Sequence, residues 1–125
     1  MTIGEKDLLF KDLCARLPYG VIVNVHGFDY DYNDKLTQIY NGYGCSIQVT
    51  TNMPYDIEQV KPYLFPLSSM TEEQQKEYQY ITERWMYDSS YSIADSIDWL
   101  NKNHFDYRGL IEKGLAIDAT GLNIY

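Results

Sequence analysis

The chain is poor in the residues that carry redox, metal or nucleic-acid chemistry. It has two cysteines, Cys14 and Cys45, and two histidines, His26 and His104. Two cysteines build neither a disulfide framework nor a four-thiolate zinc site. Neither a cofactor nor a metal is expected. Ten Lys and Arg stand against 18 Asp and Glu, a formal net charge of −8. The basic residues are scattered, so direct binding to nucleic-acid phosphates is disfavoured. No apolar run approaches the roughly 20 residues that span a bilayer. The opening Met1-Thr2-Ile3-Gly4-Glu5-Lys6 lacks the charged and apolar regions of a signal peptide. The expectation is no membrane association and a reduced, cytoplasmic location. Also missing are GxGxxG, a Walker loop, CxxC and GxSxG.

What is present in excess is tyrosine, 13 of 125 residues. Tyrosine buries a ring while its hydroxyl stays hydrogen-bonded, which suits both cores and interfaces. The apolar fraction of 45% is that of a globular protein, and the length suits one domain, residues 1–125.

Thr2 and Glu5 have capping-box spacing at the head of a helix from Ile3 to Leu17. Its apolar face reads Leu9, Leu13 and Leu17 with Phe10 and Cys14. Pro18 stops it. Val21, Val23 and Val25 alternate as a strand. Asp29 to Asp34 reads as a loop, because Asn and Asp favour turns. Leu36 to Tyr40 and Ser46 to Thr50 read as strands around an Asn41-Gly42 hairpin turn. Ile57 to Phe65 carries Pro62 and reads as a short fourth strand or extended segment.

The second half reads as helical. Ser69 with Glu72, and Thr71 with Gln74, offer two overlapping capping boxes. Tyr78, Ile81, Trp85 and Met86 form the expected inner face. Ser92 caps a further helix with Ile93, Ile97 and Leu100 inward, ending near Asn103. Asp106 is placed to cap a short last helix from Tyr107 to Lys113, stopped by Gly114. Leu115 to Ile117 reads as an edge strand and Thr120 to Tyr125 as a tail. The expected fold is α+β: an N-terminal helix, a small curled antiparallel sheet in the manner of an SH3-like barrel, then two to three C-terminal helices.

The densest polar cluster is His104, Asp106 and Arg108. In a catalytic reading His104 is a general base oriented by Asp106, and Arg108 holds an anion. In a structural reading Asp106 caps, His104 complements a helix C-terminus and Arg108 pairs with an acid. His26, at the end of the first strand, is expected to be structural. Asp29, Asp31 and Asp34 imitate a calcium loop, but the sixth and twelfth positions are Asp34 and Tyr40 rather than Gly and Glu.

Three strings carry a resemblance: Leu17-Pro18-Tyr19-Gly20-Val21, the run from Val60 to Glu73, and the run from Asp98 to Ile111. Through them the chain resembles a group of short hypothetical proteins of gut Bacteroides-like bacteria and of their phages and mobile elements. The resemblance implies a host and a genetic context, and brings no catalytic residues with it.

The expected function is a non-enzymatic protein-binding or accessory module with a protein partner. Its contact surface is expected at Tyr30, Tyr32, Tyr40 and Tyr43, with self-association as a further use of a tyrosine-rich edge. Two alternatives stand beside it. One is a small enzyme using His104 and Asp106. The other is an acidic mimic of nucleic acid that blocks a DNA-binding protein.

Overall fold

Helix α1, Ile3–Arg16, opens with the expected capping box: Thr2 Oγ1 accepts from the Glu5 amide and Glu5 accepts from the Thr2 amide. These are coordinates of a computed structural model, which describes residues 1–40, 47–49 and 54–125. The inward stripe of α1 is Leu9, Asp12, Leu13 and Arg16. Cys14, expected on the apolar face, is exposed. The correction has a physical basis: an ion pair four residues apart neutralises itself and can occupy a buried stripe that an apolar pattern assigns elsewhere.

After a 3₁₀ turn at Leu17–Tyr19, strand β1 (Ile22–His26) pairs antiparallel with β2 (Asp31–Ile39), from Ile22 opposite Lys35 to His26 opposite Asp31. The expected loop at 29–34 is therefore mostly strand. Its polar residues serve the exposed face of the hairpin: the Asn24 amide donates to Asp31 at 2.6 Å and to Asn33 at 3.1 Å. Cross-strand side-chain bonds of this kind override a turn preference. Gly27 leaves room at the bend for the Tyr30 ring, which would have to move to admit a Cβ there. Strands β3 (Ile47–Val49) and β4 (Pro54–Tyr55) extend the sheet beyond β2. The Asn41-Gly42 turn, Tyr43, Cys45 and the outer residues of the expected third strand lie outside the described residues.

A 3₁₀ turn at Ile57–Gln59 leads into β5 (Val60–Pro66), which carries the sheet to its other half. It runs antiparallel to β1, and parallel to β6 (Phe105–Asp106) and β7 (Ile117–Asp118). The sheet is thus mixed, not antiparallel as expected. The chain between β5 and β6 forms a helical crossover, the connection that parallel neighbours require. The described pairings follow β4-β3-β2-β1-β5-β6, with β7 also on β5, and none closes the ends into a barrel.

Pro62 has no amide to donate, and the β1–β5 ladder stops at Val23 opposite Pro62. Beyond it the Tyr125 hydroxyl bridges the two strands, accepting from the Ile22 amide at 2.9 Å and donating to the Tyr63 carbonyl at 2.8 Å. The expected tail is therefore part of the sheet. α1 covers one face of the sheet, and Leu9, Leu13, Val21, Val23, Val25, Leu36, Ile47, Val60 and Leu64 form the main core.

The crossover holds α2 (Glu72–Arg84) and α3 (Ile93–Lys102). Of the two capping boxes, Thr71 with Gln74 is made. Ser69 instead donates to the Pro66 carbonyl at 2.7 Å inside a 3₁₀ turn. The expected last helix is a turn: 105–106 is drawn into the sheet and Gly109 takes φ 74°, leaving too few residues for helix nucleation. Among the described residues no helix is long and apolar enough to cross a membrane.

Candidate functional site

The sequence offers a polar cluster around His104 and a tyrosine cluster around the first hairpin, and the structure adds a third feature. The polar cluster is built where α1, the end of α3 and β6 meet. Arg16 Nε donates to Asp12 at 2.8 Å and its Nη2 donates to the Phe105 carbonyl at 2.7 Å. Asp12 and Arg16 are both fully buried. Arg108 Nη1 lies 3.6 Å from the other Asp12 oxygen. Both guanidinium groups lie over the Tyr107 ring, at 5.4 and 4.6 Å. Burial pushes the Asp12 carboxyl up, against the pull of the Arg16 and Arg108 cations.

Asp106 does not orient His104. Its carboxylate accepts from the amides of Arg108, Leu110 and Ile111, at 3.3, 3.0 and 2.9 Å, and so shapes the turn that follows. His104 sits just past the α3 cap with φ 63°, the left-handed position that ends many helices. Its ring stacks on Tyr125, with centroids 3.7 Å apart. Burial, and secondarily the Arg16 cation, depress its pKa to about 4. A histidine with that pKa is neutral at pH 7 and is a weak general base. The three residues thus serve separate contacts in one brace of the fold: Arg108 lies by Asp12 of α1, Asp106 holds the turn after β6, and His104 stacks on Tyr125. A shallow cleft of about 330 Å³ beside it is lined by Pro66, Ser68, Tyr107 and Glu112, and the Asp106 carboxylate at its edge already holds three amides.

The tyrosines are largely knit into the body. Tyr30, Tyr32 and Tyr55 pack with ring centroids 5.9 to 6.3 Å apart. The Tyr32 and Tyr55 hydroxyls bond to each other, and Gln59 donates to the Tyr30 hydroxyl at 2.7 Å. Tyr40 is half-buried, and Tyr43 lies outside the described residues. Phe28, at the hairpin tip, is the fully exposed aromatic of this region. His26 is half-buried at the end of β1, and among the described residues no three His, Cys, Asp or Glu converge as metal ligands.

The third feature is the free end of the α2–α3 pair. The Thr82 and Ser96 hydroxyls meet at 3.2 Å, and Tyr78 lies against Trp99 at 5.5 Å, so the helices run antiparallel. Three residues beyond the Thr82–Ser96 pair, about 4.5 Å at helical rise, stand Trp85 on one side and Ile93 on the other. Both were expected inside. Exposure is 41% for Trp85, 62% for Met86, 82% for Tyr87, 63% for Ile93 and 40% for Ile97. α3 points Ser96, Trp99 and Asn101 inward beside Leu100, which is buried as expected. The small core at Trp99, Leu100 and Phe105 is offset toward the sheet and stops short of the hairpin end. A signal was present in the sequence: α2 opens Glu-Glu-Gln-Gln-Lys-Glu, leaving too few apolar residues to cover a neighbouring helix.

These elements define an α+β protein with an N-terminal helix on a mixed sheet and a two-helix crossover whose end is apolar and uncovered. No family model, curated protein or solved structure matches the chain.

Proposed function

We propose that this protein is a non-enzymatic, cytoplasmic protein-binding module, an accessory of phage or mobile-element origin, and that it engages its partner through the free end of the α2–α3 pair. The observation that carries the reading is the exposure of Trp85, Met86, Tyr87, Ile93 and Ile97, each large and apolar, at and beside the end of one helix pair. Contiguous apolar surface on a small protein marks interaction sites, and Trp and Tyr dominate the energetics of interfaces. The absence of nucleophile motifs from the sequence, the saturated Asp106 and the weakly basic His104 favour binding over catalysis. This reading moves the contact surface from the tyrosine-rich hairpin to the helices.

The test is capture from cell extract by the tagged protein, beside a variant carrying Ile93→Asp and Ile97→Asp. The expected result is a protein retained at high salt by the parent and lost by the variant. An identical set of captured proteins for both would remove the contact surface from the helices.

A further inference from the structure

The chemistry of the free end of the α2–α3 pair specifies its occupant more narrowly. Between positions 83 and 98 there are four acids, Glu83, Asp88, Asp95 and Asp98, and one base, Arg84. Arg84 lies over the Tyr80 ring at 4.7 Å, against its own helix. The exposed apolar residues therefore belong to a stretch of formal charge −3, within which Asp88 and Asp95 also hold the amides of Ser90 and Ser92. Ile93 and Ile97 stand four residues apart on one face of α3, in line with the buried Leu100. A rod-like apolar strip of this kind accepts the apolar face of another helix, with anchors at helical spacing.

Resting on the reading above, we infer that the occupant is an amphipathic, basic helix of a partner protein, its apolar side on Trp85, Met86, Ile93 and Ile97 and its Lys or Arg residues at the acidic rim. A second copy of this chain fits less well, because two such ends would bring like charges together. The chain as a whole, at −8, adds to that repulsion and steers a basic partner inward.

The experiment uses two synthetic helical peptides of about 14 residues, roughly 21 Å long, with the same leucine face and either lysine or glutamate elsewhere. Binding is followed by anisotropy of labelled peptide and by the change in emission of the half-exposed Trp85 over the constant background of the buried Trp99. The lysine peptide is expected to bind at least about tenfold more tightly than the glutamate peptide at low salt. The double variant Ile93→Ser with Ile97→Ser should weaken it about tenfold, whereas Phe28→Ser, at the remote hairpin tip, should leave it unchanged. Circular dichroism checks that the variants fold. As a second probe of charge, Glu83→Gln with Asp98→Asn should narrow the gap between the peptides.

Equal binding of both peptides, lost in the isoleucine variant, would overturn the basic partner and keep the contact face. Lysine-peptide binding unchanged in the isoleucine variant would overturn the face as its site. Failure of the lysine peptide to bind at all would overturn the inference, and the capture experiment would then judge the binding reading by itself. A dimer of the parent chain, dissolved by the isoleucine variant in analytical ultracentrifugation, would assign the face to a second copy and overturn the proposal.

Discussion

Helices α1 and α2 are nearly equal in length, 14 and 13 residues, and both start with a Thr capping box. They are used in opposite ways. α1 lays four residues fully into the molecule, two of them charged, and anchors the far end of the chain through Phe105 and Arg108. α2 has no fully buried residue and leans on Trp99 through a partly covered Tyr78. A helix whose sequence carries apolar residues and a self-neutralising ion pair on one stripe becomes part of the core. A helix with a polar first half is held mainly by its caps and its neighbour, and the apolar residues near its end stay exposed. Stability is concentrated in the first region, and available surface in the second.

The sharpest way to break this contrast is at Arg16. Arg16→Met leaves Asp12 buried without its main partner and should cost about 3–5 kcal/mol in urea denaturation. Adding Asp12→Leu removes the stranded charge and should recover most of the loss, because a buried pair replaced by apolar groups is often neutral. If the double change is as damaging as the single one, the pair is contributing more than mutual neutralisation.

Next in size is Asp106→Ala, which strands three backbone amides and should cost about 2–3 kcal/mol by the same measurement. A cost near zero would mean that the 107–113 turn holds itself. Tyr125→Phe keeps the ring against His104 and Phe65 but removes the hydroxyl that joins β1 to β5. It should cost about 1–2 kcal/mol and speed amide exchange at Ile22. Slow exchange retained at Ile22 would show that the amide has another protector.

Acidification probes the same brace. The His104 pKa is about 4 in the folded chain and about 6.5 when unfolded. The unfolded chain therefore binds more protons between those values. The contribution of His104 is complete above about pH 6.5 and is lost as pH falls toward 4, by roughly 1–2 kcal/mol after allowance for solvent screening. His104→Asn, which tolerates the left-handed backbone, should flatten that part of the stability–pH curve relative to the parent. Parallel curves would place the titration elsewhere.

The smallest effect should come from the second region. Ile93→Ser and Ile97→Ser, at half-exposed or exposed positions, should each change stability by about 0.5 kcal/mol or less. A large loss there would mean that the α2–α3 end is covered in solution, contrary to the contrast drawn above.

Much of the local structure was legible in the residues. The Thr2 and Thr71 boxes, the alternating valines of β1, the stop after α1 and the end of α3 near Asn103 depend on neighbours within a few positions. Several misreadings share one cause. Cys14, Trp85, Met86, Ile93 and Ile97 are assigned an inner side by hydrophobicity alone, and the true side depends on what the rest of the chain places opposite. Likewise His104 and Asp106, adjacent enough to suggest a catalytic pair, make separate contacts: Asp106 holds backbone amides and the His104 ring stacks on Tyr125.

The amino-acid sequence by itself determined the α+β composition, the starts of α1, α2 and α3, the acidic balance and the excess of tyrosine, since these follow from local propensity and simple counting. Only the tertiary structure decided that β5 would join antiparallel and parallel halves of one sheet, and that Tyr125 would bridge β1 and β5. It also decided that the apolar end of α2 and α3 would lie uncovered. Each of these depends on contacts between residues tens of positions apart, such as the 103 positions between Ile22 and Tyr125, and no local pattern encodes which distant surface will arrive.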